Sequence, residues 1–341
     1  MEKMKKTTIA IINWNGIRWL KKTLPKIIEF SKEANVVLID NNSSDKSISF
    51  TKKNFKKIKI IKHKSNYGFA KGYNNAIKEI KSKYILLLNN DVIVTKNWLK
   101  PLITFLESNE NFSVVQPKIK DLNNKKYFEY SGAAGGFIDF FGIPFCRGRI
   151  GNKLEKDTGQ YNNSSEIFWG SGSCLLIKLD TFKKIGGFDE NFFMHQEEID
   201  LCWRIQGTGQ KIGYCAKSTV YHYGGGTLTK RSYKKTFYNH RNNLLMLFKN
   251  LKISDFILII INRLLIDIFI SFYYLIKLNF THSIMVYIAY VSFLLKIPMY
   301  LFFNKKKSEI RNPIQREVKG RYDISIILIS ILKLDIFKKN K

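Results

Sequence analysis

Acidic residues are scarce in this chain: 27 Asp and Glu stand against 57 Lys and Arg, a formal net charge of +30 over 341 residues. A field of that sign excludes strongly cationic ligands and favours phosphates, nucleic acid or anionic lipid surfaces. Lys, Ile and Asn also dominate as they do in proteins of AT-rich coding, so charge alone selects no partner. Cysteine is equally sparse. Cys146, Cys174, Cys202 and Cys215 show no paired zinc-ligand spacing, and two of them sit in apolar segments, which fits a reducing compartment. The opening residues, Met1 to Lys6, precede an apolar run too brief and too polar-flanked for a signal peptide, so the catalytic part is expected in the cytoplasm. Two further absences matter: there is no Gly-x-Gly-x-x-Gly fingerprint, and no recognition pattern for RNA or DNA.

What is present begins with order. Through the first ninety residues, short apolar runs at 8–13, 36–40, 58–62 and 84–89 alternate with amphipathic stretches at 19–30, 45–55 and 73–80. Parallel strands joined by crossover helices give that pattern, so an open α/β sheet is expected, with Ser43/Ser44 or Asn41/Asn42 capping the second helix. Three of the strands end in polar residues: Asn13 and Asn15, then Asp40 to Asn42, then Asn89 to Asp91. Ligands bind outside the carboxyl ends of such strands, so these endings converge on one crevice. From 124 to 163 the periodicity dissolves into a Gly- and aromatic-rich stretch, expected to be a long functional loop. A strand at 173–178 and a helix at 179–185 then restore regular structure.

Asp40 stands where a buried strand meets a helix N-terminus, a place from which a carboxylate reaches a base or ribose; the competing role is an Asx turn. Asp45 reads as a turn or cap residue. The segment Asn66-Tyr67-Gly68-Phe69-Ala70-Lys71-Gly72-Tyr73-Asn74-Asn75 opens a helix, and its glycines permit close backbone approach to a nucleotide or simply make a tight loop. Asp91 closes a wholly apolar strand. With Mg²⁺ or Mn²⁺ it can neutralise a departing diphosphate, and its alternative is a turn former. Glu197, Glu198 and Asp200 crowd the start of a helix, where crowding raises at least one pKa and a carboxylate can take a proton from an attacking hydroxyl. An acidic helix start paired with Arg204 is the bland counterpart.

Taken together, Ile12-Asn13-Trp14-Asn15-Gly16, Ile39-Asp40-Asn41-Asn42-Ser43-Ser44-Asp45, Asn66-Tyr67-Gly68-Phe69-Ala70-Lys71-Gly72, Leu88-Asn89-Asn90-Asp91, Gly186-Gly187-Phe188-Asp189-Glu190 and the run Glu197 to Arg204 resemble, in order and spacing, the family 2 glycosyltransferases, particularly the bacterial rhamnosyltransferase-like branch. The resemblance covers roughly residues 7–245. It implies a GT-A fold, a Rossmann-like open mixed sheet flanked by helices, and an inverting transfer from a nucleoside-diphosphate sugar to a glycan or lipid-linked acceptor. It implies a donor site at Asn13, Asp40, Asn66, Gly68, Asn74, Asn90 and Asp91, and a divalent metal (Mg²⁺ or Mn²⁺) on Asp91 and His222. The base falls on Glu198, with Glu197 as competitor, and the acceptor side on Trp169, Gly170 and Trp203. Two departures stand out: Asn89 replaces the first aspartate of the family's Asp-x-Asp motif, and Glu198 is one methylene longer than the usual catalytic aspartate.

The expected division is a catalytic domain over 1–245, with a nucleotide-sugar half to about 120 and an acceptor half after it, followed by a basic, apolar helical region over 246–341. Runs at 256–276 and 284–303 are long enough to cross a bilayer. Asn262, Arg263 and Asp267 interrupt the first and Lys296 and Pro298 the second, so helices lying in the cytoplasmic face of an anionic membrane are expected. A nucleotide-sugar or glycan-binding protein without turnover is the alternative function, motivated by Asn89.

Overall fold

The strands form where branched and aliphatic residues run unbroken, and the computed structural model describes residues 5–150, 153–224, 232–307, 320–323 and 325–326. β1 (Thr7–Asn13), β2 (Ala34–Asp40), β3 (Lys59–Lys62) and β4 (Tyr84–Asn89) pair in parallel, β1 lying between β2 and β4. Crossover helices α1 (Ile17–Phe30), α2 (Ser47–Asn54) and α3 (Gly68–Ile77) join them. β5 (Val92–Val94), α4 (Leu99–Ser108) and β6 (Phe112–Asp121) follow. The sheet then becomes mixed, because the later strand β12 (Cys174–Lys178) inserts antiparallel between β4 and β6, and β13 (Lys211–His222) lies parallel beside β6. With β11 (Ser165–Ile167) on the far edge, nine strands make one sheet with apolar cores on both faces. Buried faces of this kind explain why Ile85 to Leu88 carry no polar alternation.

Three local expectations change. The third helix starts at Gly68, five residues before the apolar spacing begins, since Gly68 and Gly72 hide its first turn from any periodicity. The second helix has Lys46 at its N-cap, so neither Ser43/Ser44 nor Asn41/Asn42 caps it; Asp45, just before it, accepts from the N–H of Ser47 at 3.0 Å and of Ile17 at 2.9 Å. The segment 124–163 is not a simple loop: β7 (Gly136–Ile138), β8 (Pro144–Cys146), β9 (Arg149–Ile150) and β10 (Lys153–Leu154) build a second, four-stranded sheet. Strands of two or three residues separated by glycines with positive φ leave no readable period.

After β12 come α5 (Leu179–Lys184) and α6 (Glu197–Gly207), and the chain ends in α7 (Tyr233–Asn250), α8 (Ile253–Ile276) and α9 (Phe280–Lys307). The position 245/246 falls inside α7, whose last turn sends Lys249 and Asn250 into the catalytic side. Three polar residues of α8 turn inward, although Asn262 does not. Arg263, Asp267 and Ser271 are buried, while Ile257, Leu258, Ile261, Leu264, Leu265, Phe269 and Phe272 are exposed. Asp267 accepts from Tyr290 Oη at 2.8 Å and pairs with Arg263 at 3.3 Å. These residues therefore do not interrupt an outer apolar surface, as the sequence suggested; they weld α8 to its neighbours. The apolar run at 324–334 and residues 225–227 after His222 lie almost wholly or wholly outside the described residues.

Candidate active site

The carboxyl ends of β1, β2 and β4 open on a cavity of about 450 Å³. Asn13, Asn66, Gly68, Asn90, Asp91, Glu197, Glu198 and His222 all line it. One polar net fixes the strand ends: Asn90 Nδ2 donates to Asn13 Oδ1 at 2.8 Å, and Asn13 Nδ2 donates to Ser43 Oγ at 3.1 Å. Gly16 is required there, because a Cβ would lie 2.1 Å from the Asn90 amide and 2.3 Å from Asn13 Oδ1.

Two residues expected in the donor site serve elsewhere. Asp40 is fully buried and does not line the cavity; its carboxylate accepts from Asn13 Nδ2 at 3.4 Å and from the Ser43 N–H at 3.0 Å, the Asx-turn role. Asn74 clamps the backbone of Phe188, donating to its carbonyl at 2.8 Å and accepting from its N–H at 3.0 Å. Both act through what they hold. Gly68 does line the cavity, yet its missing side chain makes room for Phe193, whose carbonyl would lie 2.5 Å from a Cβ.

Asp91 meets residues from other elements. His222, at the end of β13, places Nε2 3.2 Å from Asp91 Oδ1, and its Nδ1 leans on Glu129 Oε2 at 3.6 Å, beyond hydrogen-bonding distance. Burial works against the imidazolium, but Asp91 and Glu129 together hold the His222 pKa well above its ordinary value. Two carboxylates and one imidazole, whose buried Nδ1 has no hydrogen-bond partner, are a donor set that a divalent cation such as Mn²⁺ can use. Among the described residues no three such side chains stand as a ready cage, so a cation would displace the His222 proton on entry. Glu129 was missed in the sequence because it lies in the segment without period.

The carboxylates before and on α6 divide sharply. Asp200 is fully buried and meets Lys249 Nζ at 2.9 Å, Arg204 Nε at 2.8 Å and Asn250 Nδ2 at 2.9 Å. Glu197 and Glu198 each keep a buried Oε2 without a hydrogen-bond partner. Burial raises both pKa values, and the neighbouring Glu198 charge raises Glu197 further, well above the usual range. The pair therefore retains a proton to higher pH than an isolated glutamate would. The chain leading in is strained: Phe193, His195 and Gln196 all have positive φ. Asn242 of α7 pins it, its Nδ2 donating to the carbonyls of Phe192, Met194 and His195 at 2.8 Å each. No local signal in the sequence identifies Asn242.

The expected acceptor residues scatter. Trp169 lines a second cavity and donates from Nε1 to the Phe137 carbonyl at 2.8 Å. Gly170 faces Leu175, and Trp203 is buried edge-on to Phe168, so both belong to the core and not to a sugar-facing surface.

Residues 8–186, just over half of the chain, match the family described as "Glycosyl transferase family 2". Similar proteins include the low-salt glycan biosynthesis hexosyltransferase Agl10 of Haloferax volcanii, 26% identical over 63% of this chain and 66% of its own length. Rhamnosyltransferase WbbL of Escherichia coli K12 is 29% identical over 46% and 61%. An N-acetylglucosaminyl-diphospho-decaprenol L-rhamnosyltransferase of Mycobacterium tuberculosis is 23% identical over 56% and 67%. The match spans about two thirds of these relatives' lengths. Two solved structures share the fold: GalNAc-T7 with UDP, GalNAc and Mn²⁺ (TM-score 0.55, 17% identity, 73% of this chain and 48% of that one), and mannosyltransferase PcManGT from Pyrobaculum calidifontis with GDP-Man and Mn²⁺ (TM-score 0.53, 11% identity, 86% and 88%). The fold is GT-A.

Proposed function

We propose, since the chain belongs to glycosyl transferase family 2, that it transfers a hexose from a nucleoside-diphosphate sugar to a hydroxyl of a cell-surface glycan or lipid-linked acceptor. The observation that carries this is the pair of unsatisfied carboxylates, Glu197 and Glu198, beside the cavity that Asp91 and His222 also line. A binder without turnover has no use for that cost. In the proposed reaction the acceptor oxygen forms the bond to the anomeric carbon, its proton passes to Glu198, and the bond to the diphosphate breaks with its electron pair leaving on the nucleotide. Attack opposite the leaving group inverts the anomeric centre. A divalent cation on Asp91, His222 and Glu129 would supply charge neutralisation for the leaving diphosphate. Asn13, Asn66 and Asn90 offer amides to the donor, and the names of the bacterial relatives support rhamnose as its sugar.

α8 and α9 are read as lying on the cytoplasmic face of a membrane. Their exposed faces are apolar, while α9 stays docked along its length: Lys296 reaches Asn191 at 3.3 Å and Tyr300 donates to Asp189 at 2.9 Å. Spanning the bilayer would tear those polar contacts apart, whereas lying in the interface keeps them. The net charge of +30 favours anionic lipid.

Thermal-shift measurements with UDP-, dTDP- and GDP-sugars, with and without Mn²⁺, test the donor reading. One nucleotide class should raise Tm, more so with Mn²⁺, and yield glycosylated product on addition of acceptor. The absence of any shift and any product across the three classes overturns it.

A further inference from the structure

Glu197 and Glu198 follow a bend that its own residues do not favour. Phe193, His195 and Gln196 have φ of 61°, 68° and 73°, a region that L side chains rarely adopt, and Glu197 comes next in the chain. None of the three is a glycine, so the bend has to be held from outside. On one side the Phe193 carbonyl accepts from the Phe69 N–H at 2.8 Å, at the start of α3. On the other side lies α7, and there the hold converges on a single amide.

Asn242 is wholly buried, and both ends of its side chain are engaged. Nδ2 donates to the carbonyls of Phe192, Met194 and His195 at 2.8 Å each, while Oδ1 accepts from Arg241 Nε at 2.9 Å and Arg241 Nη2 at 2.7 Å. A guanidinium has no lone pair to offer, so the oxygen must face Arg241 and the NH₂ must face the bend. Three carbonyl oxygens gathered at one point repel one another, and a group that only donates can hold them there. Arg241 reaches the same segment directly, donating from Nη2 to the Asn191 carbonyl at 2.9 Å. Glu198 borders both the first cavity and a second one of about 380 Å³, yet neither Arg241 nor Asn242 lines either. The two residues therefore touch the site only through the backbone that leads to Glu197.

We propose that Asn242 is a positioning residue for the transfer: it holds residues 192–195 in the strained bend that aims Glu198 at the cavity, and Arg241 holds the amide in the one orientation that works. The inference rests on the transferase reading and adds to it a residue that meets neither donor nor acceptor. A base must stand within hydrogen-bonding reach of the hydroxyl it deprotonates, and a displacement of about 1 Å costs about 10²-fold in rate. Gln196, in left-handed conformation at the N-cap of α6, passes any relaxation of the bend straight into the turn that carries Glu198. Keeping α6 in the fold does not need Asn242. Asp200 already ties that helix to Lys249 and Asn250 of α7 at 2.9 Å each, whereas Asn242 commits both its hydrogens to the residues ahead of Glu197.

The test compares Asn242→Asp, Arg241→Lys and Tyr300→Phe in the full chain. Asn242→Asp keeps the volume and the link to Arg241 but turns an oxygen toward the three carbonyls, and Arg241→Lys keeps the charge but loses the fork that orients the amide. Tyr300→Phe removes the hydrogen bond to Asp189, just ahead of the bend, and controls for lost stability alone. Turnover is read in octyl glucoside, whose hydroxyls and water both serve as acceptors, as nucleoside diphosphate released from dTDP-rhamnose, UDP-GlcNAc or GDP-mannose. Calorimetry with dTDP, UDP and GDP reads nucleotide affinity, and amide hydrogen exchange reads opening at 192–198. Asn242→Asp should lose about thirtyfold or more in kcat, keep nucleotide affinity within twofold and exchange faster at 192–198, while Tyr300→Phe keeps kcat within threefold. Turnover within threefold of wild type in Asn242→Asp overturns the proposal. So does a loss of nucleotide affinity in step with kcat, or a fall in Tyr300→Phe as deep as in Asn242→Asp, since either makes Asn242 one more part of a general scaffold. If Asn242→Asp does not fold, Arg241→Lys decides: kcat should fall at least fivefold at constant nucleotide affinity, and an unchanged kcat overturns the proposal. The two readings fail separately. Wild type that releases nothing from any of the three sugars sinks the transferase, and exchange at 192–198 still decides whether Asn242 holds the bend.

Discussion

Two pairs of buried or half-buried carboxylates a few residues apart meet opposite fates. Asp189 and Asp200 share Lys249, at 2.6 and 2.9 Å, and Asp200 adds Arg204 and Asn250. Burial pushes both carboxyls up, but Lys249 overcomes it and holds each below the ordinary range. Among the described residues no cation pairs with Glu197 or Glu198, and both carboxyls sit above that range. The same residue chemistry is thus spent on scaffold in one group and left unsatisfied in the other. Unsatisfied charge next to a cavity is the mark of a group kept for a reaction.

The widest separation of the two groups comes from Glu198→Gln. Removing a general base typically costs about 10²–10⁴-fold in kcat, and the isosteric amide should leave nucleotide binding in place. Steady-state kinetics beside a binding titration reads both quantities. Turnover within threefold of wild type would return Glu198 to the scaffold group and promote Glu197.

On the scaffold side, Lys249→Met strips Asp189 of its cation and leaves Asp200 with Arg204 alone. Breaking such a buried pair costs about 3–5 kcal/mol, to be read by urea unfolding at pH 7. The sign with pH follows from the lowered carboxyls: the stabilisation is full above the unfolded-state range near ~4 and is lost as pH falls through the folded values. The gap between wild type and variant should therefore close in acid. A loss under about 1 kcal/mol at pH 7 would mean the network is ornamental.

Next in size is the acid limb of the rate profile. Glu198 must be ionised to accept a proton, and burial raises its pKa. The limb in kcat/KM should therefore lie above the ordinary glutamate range near ~4.3, with activity rising as pH rises through it. A limb at or below that value would contradict the buried, unsatisfied environment.

The contrast between the groups also explains what could be read in the sequence. β1, β2 and β4 and their polar ends were legible, because apolar runs and turn chemistry are local. Asp91, Glu197, Glu198 and His222 were found from strand ends, charge crowding and family spacing, and they do share one cavity. Asp40 and Asn74 hold backbone instead of lining the cavity, since whether a polar side chain faces a cavity or its own backbone is decided by partners such as Ser43 and Phe188. Glu129, Asn242 and Lys249 left no local trace. Each comes from a segment far in sequence from α6 or Asp91, and only the packing of α7 and the small sheet brings them in. Arg263 and Asp267 read as flaws in an apolar helix, although orientation makes them its inward weld.

The smallest effect is the most discriminating. Burial and the neighbouring Glu198 charge raise the Glu197 carboxyl, so Glu197→Gln removes the cost of ionising it. A carboxyl raised on folding binds more protons native than unfolded, so stability falls as pH rises from about 4 through the raised value. Below that window Gln and Glu should be equally stable; above it Glu197→Gln should gain about 1 kcal/mol, roughly 2 °C in Tm for a chain of this size. Asp200→Asn must move the other way, because it discharges the carboxylate that Lys249 and Arg204 share and leaves only Asp189 to balance two buried cations. Differential scanning fluorimetry of both variants between pH 4 and 9 reads the two slopes. If they run in parallel, the carboxylates form one network, and the division between scaffold and chemistry on which the assignment of Glu198 depends is lost.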